Sequence, residues 1–330
     1  MVNLSPVRTE VMKHLESFVD TISEKYLKKP EEMWQPTDWL PDASNLDAFI
    51  TKVKEIQESA KELAYDVWAV LIADTITEES LPTYESWLMA LDGIDLSAEG
   101  GWSGWTRKWT SEENRHGDLL NKYLYLSGRV DMRQFEISTQ YLIADGMDIQ
   151  TNGDPYRTFV YTSFQEIATQ MSHRRVGTLA RKSGNKDLAK MCGVIASDEG
   201  RHAKAYMAFI DKIFEVDPSE MMLALADMMK KKIVMPAHNM RELGLNIGDS
   251  FEHFSNAAQR LNIYTSQDYV DIMRRLIKYW KVEHITGLTG EAAKAQDYLM
   301  RLPDRMQRVL SRVQVPNIEY EYKWILPQKA

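Results

Sequence analysis

The sequence predicts an all-α protein, a single domain built round a four-helix bundle with additional helices packed outside it. Apolar residues recur at helical spacing through four long stretches, residues 54–92, 106–127, 155–182 and 186–214. Turn-forming residues mark the breaks between these stretches: the Gly-rich segment 100–104, Gly128, Asn152-Gly153-Asp154 and Gly184. No linker divides the chain, so we expect residues 1–330 to fold as one domain.

The remaining elements are expected to surround this bundle. The first 50 residues contain one amphipathic stretch, residues 6–26, among four prolines, and should form an arm packed on the core. Pro82 lies inside the first long stretch, where its missing N–H should kink the helix. Further helices are expected over residues 131–144, 217–235, 251–261, 266–285 and 289–314. Only residues 318–325 alternate as a strand would, a pattern that fits a short C-terminal hairpin.

Composition and charge exclude several classes of function. The chain has 330 residues, 44% of them hydrophobic, which is ample for a large core. Its formal charge of −8 argues against binding nucleic acid, and Asp74 interrupts the most apolar run, so no membrane span is expected. The one cysteine, Cys192, rules out an intramolecular disulfide and fits a reducing compartment. The N-terminus has neither a secretory signal nor the composition of a transit peptide.

Two Glu-x-x-His motifs carry the chemistry. Residues three apart share a helix face, so Glu113 with His116 can offer a carboxylate and an imidazole to one metal ion, and Glu199 with His202 can do the same. Each motif follows, at nearly the same separation, another glutamate on the preceding helix: Glu78 and Glu166. The chain therefore contains two copies of one helix pair, which can pack about a pseudo-two-fold axis.

The sequence around the motifs places these glutamates on buried helix faces, since Trp109, Leu120 and Tyr123 recur at helical spacing round Glu113. A lone motif would fit an ion pair on a solvated face, whereas four buried carboxylates stay ionised only beside cations. The set is hard and free of thiolate, which suits iron or manganese better than structural zinc. We favour iron, because a redox-active pair gives the buried site a purpose, and the ligands alone leave manganese open. Ferritin-like di-iron bundles have this ligand arrangement.

Longer segments around the ligands carry a family resemblance. They are Thr77-Glu78-Glu79, WTSEENRHG at 109–117, DLLNKYLYLSG at 118–128, YTSFQE at 161–166, DEGRH at 198–202, MPAH at 235–238 and AQDY at 295–298. Together they resemble the soluble acyl-[acyl-carrier-protein] desaturases of plant plastids, of the stearoyl desaturase type. The resemblance covers nearly the whole chain beyond about residue 30.

The resemblance implies a homodimeric, ferritin-like enzyme with two iron ions per chain. It would insert a cis double bond into a saturated fatty acyl chain held on acyl carrier protein, with O2 as oxidant and reduced ferredoxin as electron donor. The protein would be soluble and lie in the plastid stroma as a mature chain without its transit peptide. The resemblance also assigns the ligands: Glu113 and Glu199 bridge the irons, Glu78 and Glu166 are terminal, and His116 and His202 each bind one iron.

The same resemblance points to further residues. Thr169, one helical turn after Glu166, could relay a proton to bound oxygen or simply bond back to its own helix. Trp34 matches a family tryptophan on an electron route through Asp198 to His116, although a tryptophan is more often part of a core. The acyl channel would be bordered by eight residues: Tyr84, Trp87, Leu88, Ala90, Thr158, Phe159, Met235 and Phe251. Arg157 and Thr158 stand where the family has smaller, apolar residues.

Three groups of basic residues are candidates for docking the acidic carrier protein: Lys230-Lys231-Lys232, Arg174-Arg175, and Arg201 with Lys204. Each group alone is most often an ordinary solvated surface. Two other functions stay open. Another di-iron oxidase of this fold, such as a ribonucleotide reductase radical subunit, would need a radical tyrosine near one metal and usually has Asp in place of Glu78. A ferritin-type protein that oxidises and stores iron would have no organic substrate and usually has a shorter chain.

Overall fold

Helices account for nearly all regular structure in the computed structural model, which describes residues 6–310 and 319–327. In chain order they are α1 (Pro6–His14), α2 (Glu16–Tyr26), α3 (Leu46–Lys61), α4 (Tyr65–Glu79), α5 (Leu81–Met89), α6 (Gly101–Ser127), α7 (Met132–Asp145), α8 (Pro155–Lys182), α9 (Lys186–Val216), α10 (Pro218–Lys231), α11 (Asp249–Arg260), α12 (Ser266–Tyr279) and α13 (Gly290–Leu310). The all-α prediction is confirmed. Among the residues described, none of these helices combines the length and apolar character needed to cross a membrane.

Four long helices, α4, α6, α8 and α9, form the central bundle. α8 packs along α9, α9 meets α6, α6 packs against α4, and α4 meets α8, so the four helices enclose a common centre. Along α6 and α9 the predicted ligands lie between two apolar regions. One region contains Trp105 and Phe209, and the other contains Trp68 and Tyr123. The other helices pack outside this bundle, with α2 on α6 and α9, α11 on α4, and α12 on α8.

Two of the ligand-bearing helices begin where the sequence predicts, because local residues cap them. The Asp154 carboxylate accepts a hydrogen bond from the Tyr156 N–H at 2.9 Å, and Pro155 occupies the first turn of α8. The Asn185 side chain accepts from the Leu188 N–H at the start of α9. Both caps are encoded within a few residues of the helix they begin.

The start of α6 depends on a distant part of the chain. The helix begins at Gly101, inside the Gly-rich segment predicted to be a break, and Gly100 has no side chain to cap it. Two carboxylates of α2 take this role: Asp20 accepts from the Gly101 N–H at 2.7 Å, and Glu16 accepts from the Trp102 N–H at 3.0 Å. The N-terminal arm is therefore hydrogen-bonded to a helix that carries two of the predicted ligands.

Several predicted helices are divided or shortened. Residues 54–92, expected to form one kinked helix, belong to α3, α4 and α5. α4 ends before Ser80, and Pro82 lies in the first turn of α5, where a missing N–H is tolerated. The arm contains two helices where one was expected. The helix predicted over 266–285 ends at Tyr279, just before Lys281, whose φ is +49°. The predicted end of the last helix, at residue 314, lies outside the described residues.

The predicted C-terminal hairpin is wrong for the part of the segment described. Residues 319–327 contain one isolated antiparallel bridge, between Val130 and Ile325, and Ile318 lies outside the described residues. The buried Glu242 carboxylate accepts hydrogen bonds from the Tyr320 hydroxyl and the Lys323 N–H, both at 2.6 Å. Glu242 thus accepts hydrogen bonds from this segment that a partner strand would otherwise accept.

Candidate metal centre

The six predicted ligands converge at the centre of the bundle. They form two groups, within each of which the ligand atoms all lie within 4.8 Å of one another: Glu78, Glu113, His116 and Glu199, and Glu113, Glu166, Glu199 and His202. All six side chains are nearly enclosed, and the most exposed of them, Glu113, is 9% exposed. Glu113 and Glu199 belong to both groups and thus lie where bridging ligands would.

The ligand atoms approach closely without forming hydrogen bonds. His202 Nδ1 lies 2.6 Å from Glu113 Oε1, and His116 Nδ1 lies 3.1 Å from Glu113 Oε2 and 3.3 Å from Glu199 Oε1. Glu113 Oε1 and the two Nδ1 atoms nevertheless have no hydrogen-bond partner in the described residues. Lone pairs directed at a common ion produce this geometry, so the residues present fit two bound metal ions.

The cluster has approximate two-fold symmetry. Glu78 Oε2 lies 3.8 Å from His116 Nδ1, and Glu166 Oε2 lies 3.7 Å from His202 Nδ1. We call Glu78 with His116 the Glu78 half-site and Glu166 with His202 the Glu166 half-site. Each half-site is completed by the two shared glutamates.

Each ligating histidine is oriented by a carboxylate from the opposite helix. Asp198 Oδ2 lies 3.5 Å from His116 Nε2, and Glu112 Oε2 lies 3.1 Å from His202 Nε2. Metal-binding histidines commonly direct their second ring nitrogen at such a carboxylate, which fixes the ring and its tautomer. Both histidines therefore present Nδ1 to the centre of the cluster.

Two arginines complete this network. Arg115 donates to Asp198 at 2.9 Å, while Arg201 donates to Asp198 at 2.6 Å and also to Glu112. The sequence interpretation missed the roles of Glu112 and Arg115, and treated Arg201 as a cation for carrier docking. A longer repeat could have revealed them, because residues 112–116 and 198–202 both read acid-Glu-x-Arg-His.

Burial and neighbouring charges shift the acidity of these carboxylates in different directions. Burial raises the pKa of Glu78 to about 7 and, with the nearby Glu199, raises the pKa of Glu166. Although burial opposes it, His116 and His202 hold the pKa of Glu113 below its usual range. Metal cations would offset the cost of burying the negative charges of Glu78 and Glu166, and all four carboxylates would then stay ionised. This further supports the fit of the cluster to metal.

The structure brings the predicted Trp34, Asp198 and His116 together. Trp34 Nε1 donates at 2.9 Å to the same Asp198 oxygen that faces His116. The indole also stacks on the His116 ring, with centroids 6.0 Å apart and planes 12° apart, and Arg115 lies over its face. A partly exposed indole is therefore connected to the imidazole of a candidate ligand, His116, through one carboxylate.

Thr169 is hydrogen-bonded to its own helix and also lines a cavity. Its hydroxyl donates to the backbone carbonyls of Gln165 and Glu166, each at 3.2 Å, as in the backbone-bonded alternative. The residue also lines a large cavity together with Glu166.

A cavity of about 700 Å³ leads from the cluster to the surface. Ligand glutamates line its inner end, and three predicted channel residues line its wall: Tyr84, Met235 and Phe251. The exposed Lys232 and Arg305 also line it and mark its opening. Its size is typical of small-molecule sites, which bury most of the surface of a bound ligand.

A second cavity, which we call the distal pocket, shares Glu166 and Trp109 with the large one but measures only about 20 Å³. Four predicted channel residues line it: Tyr84, Trp87, Leu88 and Thr158. The edge of Trp87 meets the Tyr161 ring at a centroid distance of 6.4 Å, and Tyr84 packs against the same indole at 5.5 Å. These rings nearly close the space beyond the metal cluster.

Three residues expected near the channel lie elsewhere. Ala90 is exposed at the end of α5, and Phe159 stacks on Trp102 within the core at 4.9 Å; neither lines the two cavities. Arg157 forms an ion pair with Asp227 at 2.8 Å and is also absent from both walls. An α-helix turns by about 100° per residue, so neighbours of a channel residue face other directions.

One of the three predicted basic groups reaches the large cavity. Lys232 lines it, whereas Arg175 forms two hydrogen bonds with Asp268, at 2.6 and 2.8 Å, and Arg201 is held in the network beside the cluster. Arg305, which the sequence interpretation did not single out, lies at the same opening as Lys232.

The chain is similar in sequence to known fatty acyl desaturases. A family model described as fatty acid desaturase matches residues 7–326. A chloroplastic stearoyl-[acyl-carrier-protein] 9-desaturase from Gossypium hirsutum is 51% identical over 94% of this chain and 79% of its own. A chloroplastic palmitoyl-[acyl-carrier-protein] 4-desaturase from Ophrys sphegodes is 50% identical over 94% of this chain and 78% of its own. The solved structure of a putative acyl-ACP desaturase from Mycobacterium tuberculosis matches with a TM-score of 0.55 and 17% identity, over 87% of this chain and 99% of that one, which supports the fold alone.

Proposed function

Because this chain belongs to the fatty acid desaturase family, we propose that it inserts a cis double bond into a saturated acyl chain carried on acyl carrier protein. The observation that carries the proposal is the position of the carboxylate and imidazole cluster at the inner end of the large cavity. Relatives named for 9- and 4-desaturation are about equally similar to it, so overall identity does not determine the bond position. Those relatives are chloroplastic by name, and we place this protein in the same compartment.

The cluster would hold two iron ions in each chain. Glu78 and Glu166 would be terminal ligands, Glu113 and Glu199 would bridge, and His116 and His202 would each bind one ion through Nδ1. When bound, iron would supply the oxidising chemistry that an unactivated methylene requires. O2 would accept four electrons, two from the substrate C–H bonds and two from reduced ferredoxin, and would leave as two water molecules.

The residues around the cluster would position the substrate and manage water and protons. The wall of the large cavity would hold the acyl chain beside Glu113 and Glu166, and the surrounding rings would exclude water from the reacting carbons. Thr169 would hold a proton at its hydroxyl oxygen next to the same carboxylates. Electrons would enter at the partly exposed indole of Trp34. They would reach His116 through Asp198, which contacts both side chains.

The experiment that tests the function is product analysis. The protein would be incubated with acyl carrier proteins of several acyl lengths, reduced ferredoxin and O2, and the acyl products identified by mass spectrometry. A mono-unsaturated acyl chain formed only when all components are present supports the proposal. Iron oxidation without any change in the acyl chain would instead favour the iron-storage alternative. Size analysis of the same preparation tests the homodimer that we also propose.

Removing the Thr169 hydroxyl should lower the efficiency of O2 use. Thr169→Ala keeps the backbone carbonyls bonded within the helix but removes the hydroxyl from the cavity wall. We expect more O2 consumed, or more hydrogen peroxide released, for each double bond formed. Parallel measurement of O2 uptake, peroxide and product checks this, with Thr178→Ala, an exposed position on the same helix, as control. Unchanged coupling would leave Thr169 with a packing role.

Carrier binding should depend on salt even though the chain has a formal charge of −8. No described carboxylate pairs with Lys232 or Arg305, so both cations are free to meet an acidic partner at the cavity opening. The double variant Lys232→Ala, Arg305→Ala should weaken binding at low salt by about tenfold and flatten the salt dependence. Calorimetry at two ionic strengths measures both effects, with iron content as a check on the site. Lys190→Ala, an exposed cation that lines neither cavity, is the control. Equal affinity at both ionic strengths would refute electrostatic docking.

A further inference from the structure

The two half-sites differ in how their terminal glutamates are held. His173 Nε2 lies 2.8 Å from Glu78 Oε1, whereas Trp109 Nε1 donates to Glu166 Oε1 at 3.1 Å. In both cases the other carboxylate oxygen faces the ligating histidine at nearly the same distance. An imidazole thus occupies in one half-site the place that an indole occupies in the other.

The chain repeat does not extend to these two rings. Trp109 lies one turn before Glu113 on α6, and the corresponding position on α9 is Ile195. His173 lies two turns after Glu166 on α8, and no helical equivalent exists on α4, which ends one residue after Glu78. The two half-sites therefore differ because the helices that carry them differ at these positions.

His173 is fully enclosed, with a side chain that is 2% exposed. As a metal ligand Glu78 would be ionised and could only accept a hydrogen bond, so Nε2 would carry the proton in this contact. Nδ1 has no hydrogen-bond partner among the described residues, and the buried Cys192 thiol interacts with the same ring. The negative charge of Asp74, one turn before Glu78, also attracts this imidazole. The Asp74 carboxylate accepts a hydrogen bond from the Ser172 hydroxyl at 2.8 Å. The hydrogen bond to Glu78 is thus the contact that joins this ring to the cluster.

We propose that His173 is the positioning residue of the Glu78 half-site, and that it sets the metal affinity of this half-site separately from that of the other. The inference rests on the proposed function only in that the cluster must bind two metal ions. Partners that hydrogen-bond a metal ligand commonly contribute a factor of about 10 to 100 in affinity. Loss of the His173 contact leaves Glu78 Oε1 buried without a donor, while the Trp109 contact to Glu166 is untouched.

Metal titration of the whole chain tests the proposal without use of the enzymatic activity. The metal-free protein would be titrated with Co²⁺, with visible absorption and metal analysis after dialysis reporting two separate binding steps. His173→Phe keeps a ring but removes the donor, and we expect one Co²⁺ to bind about 10- to 100-fold more weakly while the other is unchanged. His173→Gln supplies a side-chain N–H and should restore much of the loss. Cys192→Ala, which keeps His173, should weaken the same ion by a smaller factor.

Two further variants identify the affected half-site. Trp109→Phe should weaken the other ion and leave the first unchanged. In the His173→Phe background, adding His202→Gln should abolish the remaining tight site, whereas adding His116→Gln should leave it. Circular dichroism and melting temperature confirm folding. If His173→Phe does not fold, Cys192→Ala and Trp109→Phe still test whether each ion responds only to the contacts of its own half-site. Equal weakening of both ions, or of neither, in folded variants would overturn the proposal. A parent protein that binds fewer than two ions would instead refute the proposed di-metal site.

Discussion

Replacing Glu199 by Gln is expected to empty both half-sites and abolish turnover, because this residue belongs to both ligand groups. The substitution conserves side-chain size but removes a negative charge that two cations would share. Loss of a residue that only hydrogen-bonds a ligand costs about 10- to 100-fold in affinity, so loss of a shared ligand should exceed that range. We expect fewer than one iron per chain by metal analysis, against two in the parent, and product formation below detection.

A terminal ligand should behave differently from the shared one. His202 belongs only to the Glu166 half-site, so His202→Gln should lower the iron content toward one per chain while the Glu78 half-site stays filled. Glu215→Gln is the matched control, since this exposed acid lies on the same helix away from the cluster. One zinc per chain in the parent, or full iron retention in both variants, would contradict the di-iron assignment.

The candidate ligands could be picked out from the sequence because the pairing of each glutamate with its histidine is local. A Glu-x-x-His spacing places two donors on one helix face wherever that helix lies, and its duplication identifies the partner helices. The capping residues Asp154 and Asn185 likewise fixed the starts of α8 and α9. In each case the deciding contacts join residues within one or two helical turns.

Features that depend on contacts between distant segments could not be found in the same way. The start of α6 requires carboxylates of α2, and the C-terminal segment is held by Glu242, so neither follows from its own residues. The channel wall is a further example: Phe159 and Thr158 are adjacent in the chain, yet only Thr158 reaches the distal pocket. The contact of His173 with Glu78 could not be predicted from the residues around His173, because Glu78 lies on a different helix, α4.

The distal pocket should limit how much of the acyl chain extends past the metal cluster. Its volume of about 20 Å³ has room for roughly one water-sized group, whereas a double bond at the ninth carbon of a stearoyl chain leaves about eight carbons beyond it. Each methylene excluded from an apolar site forfeits about 0.8 kcal/mol, or about a fourfold loss in kcat/KM. We therefore expect a preference for a chain shorter than stearoyl, or a bond position other than the ninth carbon.

Opening this pocket should shift chain length and bond position together. Trp87 closes it against Tyr161, and Thr158 occupies the facing helix, so Trp87→Met with Thr158→Gly should lengthen the space beyond the cluster. We expect the double variant to gain kcat/KM for stearoyl carrier protein and to form more of the ninth-carbon product, measured by mass spectrometry of derivatised acyl chains. Ala90→Met is the matched control, because Ala90 is on the surface at the end of the same helix and should leave the products unchanged. Formation of the ninth-carbon product alone from stearoyl carrier protein by the parent enzyme would refute the prediction, since the closed pocket would then not restrict the chain.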